Sequence, residues 1–155
     1  MTYRISGLSP EHFAHLLGAS EAVLASHHAV RMTAQSKPGG PCRVTLEDAE
    51  PGETLILVNH VSHDVANPYR ATHAIFVREN ANEVAEYIDE IPPAFAPRVL
   101  SMRGFDADGM MVDALITQPG DAEQGIRTLF DNAAISYIHA HNATRGCFAA
   151  KVERL

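Results

Sequence analysis

Long apolar runs, paired cysteines and an excess of basic residues are all missing from this chain, and each absence removes a class of function. No run of about 18 apolar residues occurs, and Met1 to Phe13 has no basic stretch followed by an apolar one, so neither a membrane span nor a secretory signal is expected. Lysine and arginine number 12 against 19 aspartates and glutamates, for a formal charge of −7. That balance argues against a nucleic-acid-binding surface or an anionic-membrane surface and favours small molecules or proteins as partners. The only cysteines, Cys42 and Cys147, are far apart and fit no recognised pair motif. They read as free thiols in a reducing compartment, with a disulfide as the alternative. The expected setting is therefore cytoplasmic. Internal repeats, low-complexity segments and interdomain linkers are absent too, so the 155 residues are expected to form a single domain, 1–155.

What is present is a succession of short elements. Tyr3 to Gly7 alternates like a strand, and Ser9-Pro10-Glu11 then opens a helix with an apolar stripe of Phe13, Leu16 and Leu17 that Gly18 stops. Ser20 and Glu21 open a second helix, ending at His27 and His28. Ala29 to Ala34 reads as a strand, Lys37 to Pro41 as a breaker, and Cys42 to Leu46 as a half-buried strand in which Cys42, Val44 and Leu46 alternate with Arg43 and Thr45. Thr54 to Val58, nearly all apolar, suits a central strand. His60 to Thr72 reads as a long ordered loop of the kind that often carries function. His73 to Glu79 resumes the strand pattern, and Asn82 to Ile88 reads as a short helix. Arg98 to Phe105 and Met110 to Thr117 flank the turn Asp106 to Gly109 as a hairpin. The DxDG string lacks the later ligands of a calcium loop. Asp121 and Gln124 suggest a capping box for a last helix that buries Ile126, Leu129 and Phe130. The expected class is α+β, a mostly antiparallel sheet of several hairpins with three or four short helices.

The final stretch, Tyr137 to Val152, concentrates the chemistry: two of the nine histidines alternate here, followed by Cys147. Read as a hairpin with His141 opposite Cys147, it sends Tyr137, His139, His141, Cys147, Ala149 and Lys151 to one face. Ile138, Ala140, Phe148, Ala150 and Val152 then share the other, and burial of that apolar face selects the register.

Three stretches together resemble an uncharacterised bacterial domain-of-unknown-function family of small single-domain proteins. They are Pro41-Cys42-Arg43 with Leu46, Asp48 and Ala49; Pro68-Tyr69-Arg70 followed by Ile75 to Glu79; and His139 to Asn142 with Gly146-Cys147. The resemblance covers nearly the whole chain and implies no established activity. Where this chain has His73-Ala74 the family often has Gly-Pro, which sets His73 outside the shared pattern.

Three functional readings follow. The first is a polar small-molecule pocket near the C-terminal hairpin. Its metal-dependent version is an enzyme in which His139, His141 and Cys147 hold zinc or iron and leave a coordination position open. A cupin also uses a His-x-His strand, but its later glutamate is absent. The second is nucleophilic or acid/base chemistry by Cys42 or Cys147 with His139 or His141, since a thiol beside an imidazole loses its proton readily. The third is a non-catalytic anion-binding or protein-interaction module in which Arg43, Tyr69, Arg70 and Asn142 hold a small anionic ligand. The competing structural role for those arginines is bonding to nearby carboxylates such as Asp48, or to loop carbonyls. A homodimer is compatible with the general prevalence of twofold assemblies.

Overall fold

The computed structural model describes residues 1–155, arranged as two antiparallel sheets with few helices. In chain order the elements are β1 (Tyr3–Ser6), a 3-10 turn (Pro10–Phe13), α1 (Glu21–Ser26), β2 (Val30–Thr33), β3 (Thr54–His63), β4 (Ala71–Arg78) and β5 (Glu86–Ile88). They continue with β6 (Leu100–Phe105), β7 (Met111–Thr117), α2 (Ala122–Phe130), β8 (Tyr137–Asn142) and β9 (Phe148–Arg154). The larger sheet runs β5-β1-β9-β8-β6-β7 and the smaller β2-β3-β4. No helix is long and apolar enough to cross a membrane.

One face of the larger sheet carries the main core. Leu100, Met102, Ile138, Ala140, Ala150 and Val152 pack there against Ala122, Ile126, Leu129 and Phe130 of α2. Each fully buried leucine, isoleucine, valine or methionine here contributes roughly 1.5–3 kcal/mol. The approach is close at Gly125, where an added Cβ would lie 2.3 Å from Thr117 Cγ2. The smaller sheet has its own core, in which Ile56, Val58, Ile75 and Val77 pack with Phe13, Leu16, Leu24, Cys42 and Val44. The expected turn after β6 forms as read: Gly109 has φ 78, and Asp106 Oδ1 accepts from the N–H groups of Asp108 and Met110, each at 2.9 Å.

Several expectations are corrected. There are two α-helices, not three or four; the first expected helix is only a 3-10 turn, although Ser9 accepts from Glu11 N and Ser20 caps α1 as read. Asp121 precedes α2 without a side-chain cap bond. Asn82 to Ile88 is not helical. It lacks an apolar stripe, and its last three residues pair instead with β1, setting Tyr87 opposite Ile5. Cys42 to Leu46 is a compact turn rather than a strand: Leu46 N–H bonds Cys42 O, Leu46 has φ 54, and Arg43 is buried with both of its neighbours. Other segments satisfy its backbone, since Leu8 N–H bonds Arg43 O and Ala85 N–H bonds Val44 O.

The expected loop from His60 to Thr72 is strand at both ends. β3 continues to His63 and β4 begins at Ala71, leaving only 64–70 as the connection. The β8–β9 register also differs. Ile138 opposes Val152 and Ala140 opposes Ala150, but His141 opposes Phe148 rather than Cys147, because a bulge lies between Ala140 and His141. The extra residue on β9 sends Ala149 to the main core and turns Phe148 toward the histidines, with ring centroids 5.0 Å from His139 and 5.9 Å from His141.

Candidate functional site

The site lies between the two sheets and is assembled by register. Along β8, Ile138 and Ala140 enter the main core, so the alternation sends Tyr137, His139 and His141 to the opposite face. Pairing with β6 sets Arg103 opposite His139 and Ser101 opposite His141. The smaller sheet supplies the other wall. His73 on β4 opposes His60 on β3, and the irregularity after Val61 brings Ser62 and His63 to the same region. Two pairs of imidazoles then meet edge to face across the gap. His63 lies 4.9 Å from His139 and His73 lies 4.8 Å from His141, between ring centroids.

Hydrogen bonds fix two of the tautomers. His63 Nδ1 lies 2.9 Å from the carbonyl of Tyr69, which only accepts, so Nδ1 carries the hydrogen. His63 Nε2 therefore accepts from the Tyr137 hydroxyl at 2.6 Å when the ring is neutral. His141 Nδ1 likewise donates to Gly146 O at 3.0 Å, which leaves Nε2 as a lone-pair acceptor with no protein partner. His73 Nδ1 is 2.6 Å from Ser62 Oγ. Neither nitrogen of His139 has a protein partner, although the residue is only 4% exposed.

The electrostatic setting keeps His73, His139 and His141 neutral. Burial, reinforced by His63, His141, Lys151 and Arg103, pushes His139 down to about 3. Burial also lowers His141 to about 4; the Gly146 hydrogen bond opposes this, while Arg103, His73 and Arg43 add to it. His73 is lowered by burial and then by Arg103 and Arg43. The cleft itself has a volume of about 210 Å³. Polar walls of Ser62, His63, Arg103, His139 and His141 face an apolar side of Pro68, Phe105 and Met111, with Tyr69 and Arg70 at the same opening. No aspartate or glutamate lines it.

Arg103 is a half-buried cation in the wall of the cleft without a carboxylate partner. Arg4, Arg31, Arg78, Arg98 and Arg127 each pair with a carboxylate. Arg103 makes one protein hydrogen bond, from Nε to Ser101 Oγ at 3.3 Å, and no ion pair. Burial alone lowers its pKa, with no carboxylate opposing that shift.

The structure brings together only some of the residues singled out from sequence. His139, His141, Tyr69 and Arg70 line the cleft, and Arg70 is exposed and 3.4 Å from Asp64. Arg43 is buried behind the hairpin, donating to the carbonyls of Phe148 at 2.7 Å and of Pro41, and lying 3.0 Å from Cys147 Sγ. Its donors serve the fold, and Asp48 pairs with Arg98 at 2.6 Å instead. Asn142 closes the hairpin, bonding Cys147 O through its N–H and lying 3.7 Å from Cys147 Sγ through Nδ2. Cys42 sits in the core of the smaller sheet, its sulfur accepting from Arg78 N at 3.3 Å.

The expected metal set of His139, His141 and Cys147 does not converge. The shifted register turns Cys147 toward Arg43 and Asn142, and no three His, Cys, Asp or Glu side chains group so as to hold an ion. Both thiols are free. Sequence reasoning missed Arg103 as a site residue. The available signal was an arginine inside the strand Leu100–Phe105 on the face opposite Leu100 and Met102, but nothing in the sequence pairs that strand with β8.

Comparison with known proteins adds one match. A family model described as "Protein of unknown function (DUF1203)" matches residues 39–154, a span that contains every residue lining the cleft. No curated protein and no solved structure matches the chain.

Proposed function

The chain belongs to the DUF1203 family of proteins of unknown function, and on that footing we propose that it binds a small anionic molecule in the cleft between its two sheets. The observation that carries this reading is the guanidinium of Arg103, half-buried among neutral imidazoles with no carboxylate to pair with. Withdrawing a cation from water costs free energy unless an anion compensates, and guanidinium offers a planar donor fork that matches carboxylate or phosphate. His139 adds a ring nitrogen free to donate at the position directly opposite Arg103 on the neighbouring strand. Phe105 and Met111 supply contact for a carbon skeleton. The pocket is smaller than the roughly 300–1,000 Å³ typical of drug-sized ligands, so a small organic acid or inorganic anion suits it better than a nucleotide.

The test is calorimetric titration of the wild-type protein and Arg103→Met with acetate, propionate, lactate and phosphate at neutral pH. Saturable binding of at least one anion, lost or weakened more than tenfold in the variant, is the expected result. Arg103 has a single side-chain bond to the protein, so its replacement leaves the fold in place. No binding of any of these anions, or equal binding by the variant, overturns the proposal.

A further inference from the structure

We infer that the anion taken by this cleft is a small hydroxycarboxylate, its carboxylate on Arg103 and its hydroxyl donating to His141 Nε2. This rests on the anion-binding reading above and sharpens it from a charge to a class of molecule.

Hydrogen-bond polarity leads to that class. Arg103 can only donate, and a carboxylate can only accept, so that pairing is complete in itself. His141 is different. Its Nδ1 hydrogen is committed to Gly146 O at 3.0 Å, so Nε2 of this cleft-lining residue is left as an acceptor that no protein group satisfies. A simple carboxylate brings another acceptor to that nitrogen, which repels it. A ligand that fills the cleft well must therefore bring a donor as well as an anionic group. Burial and the neighbouring Arg103, His73 and Arg43 keep the ring neutral, so it does not become a donor at neutral pH.

Position supports the same assignment. Arg103 opposes His139, and Ser101 opposes His141, on adjacent antiparallel strands. Arg103 and His141 are thus diagonal neighbours on one face, roughly 7–8 Å apart in such an arrangement, with their Cβ atoms somewhat closer. That gap is bridged by a molecule with its two polar groups a few bonds apart. His139 adjoins both, opposite Arg103 and two residues before His141 on β8, buried and without a protein partner at either nitrogen, and can donate to the second carboxylate oxygen.

Charge separates the two common donors. An amino acid would bring an ammonium beside Arg103, with Arg43 and Lys151 close enough to depress the histidines and no aspartate or glutamate in the lining. A neutral hydroxyl supplies the same hydrogen without that repulsion. At about 210 Å³ the cleft suits a small acid, with its carbons against Phe105 and Met111.

The experiment compares matched pairs, lactate with propionate and mandelate with phenylacetate, by calorimetry on the wild type, Arg103→Met and His141→Phe. In the wild type the hydroxy acid is expected to bind about tenfold more tightly than its deoxy partner in at least one pair. His141→Phe should reduce that ratio below twofold, and Arg103→Met should abolish binding of both members. Nitrogen-15 NMR of the wild-type imidazoles gives a readout independent of any variant's folding: His141 Nε2 should shift on adding the hydroxy acid and not its deoxy partner. Equal binding within each pair, or a nitrogen that does not distinguish them, overturns this inference while leaving the anion site standing. Binding of none of the four acids overturns it, and loss of the phosphate and acetate signals too would remove the anion site with it.

Discussion

Tyr137 donates its hydroxyl hydrogen to His63 Nε2 at 2.6 Å, tying β8 of the larger sheet to the end of β3 in the smaller one. His63 passes the constraint on, because its Nδ1 hydrogen is held by Tyr69 O in the connection that borders the cleft. Tyr137→Phe keeps the ring, which stacks on Phe105 with centroids 5.4 Å apart, and removes only the donor. Leaving the buried acceptor unpaired should cost about 1–3 kcal/mol. Urea unfolding of the two proteins checks this, and a change within error would show that the bond adds nothing.

Acid should destabilise the protein before its carboxylates titrate. His139 is lowered to about 3 and His141 to about 4 from an ordinary value near 6.5. Above that value both are neutral whether the chain is folded or not. As pH falls below it, the unfolded chain takes up protons that the folded cleft refuses, so stability drops until the folded values are reached. The limiting slope is about 1.4 kcal/mol per pH unit for each histidine. A loss on the order of 1–2 kcal/mol per unit is expected between pH 6 and about 4.5, and His139→Phe should reduce it by about half. Denaturant midpoints that stay flat over that window would count against neutral, buried rings.

Arg43 should be indispensable to the fold. Its donors hold the carbonyls of Phe148 and Pro41 and reach Cys147 Sγ, so one side chain fastens the C-terminal hairpin to the turn at 41–46. Arg43→Met removes a donor from each of those carbonyls and should cost about 3 kcal/mol or more. Arg43→Lys should recover only part, since a point charge cannot reproduce the planar fork. Thermal unfolding of both variants decides the matter.

How far the sequence carries can be judged residue by residue. The face of β8 was legible because Ile138 and Ala140 alternate with His139 and His141, and a core needs one face apolar. The register of β9 was not, because Phe148 and Ala149 are both apolar and the alternation cannot say which turns inward; the bulge chooses Ala149. The end of β3 was misread because His60, Ser62 and His63 are polar, and a strand whose inner face lines a cleft looks like a loop. Cys42 to Leu46 erred the other way, its apolar alternation belonging to a turn buried from several sides. Arg103 stayed out of reach because strand order places it beside His139, and order in space is set by long-range pairing.

The two thiols should respond differently to modification, and the difference separates a structural cysteine from a reachable one. Cys42 is about 1% exposed inside the smaller sheet's core, where its sulfur accepts from the backbone of Arg78 and Thr45. Cys147 is partly exposed near the hairpin turn, beside Arg43 and Asn142. A small maleimide applied to the native protein should therefore add once, at Cys147, and add at both sites only in denaturant, as read by intact mass. Cys147→Ser should leave anion binding within about twofold of the wild type, because Cys147 does not line the cleft. If that substitution instead abolished binding, the hairpin turn rather than the inter-sheet cleft would be the place where ligand chemistry occurs.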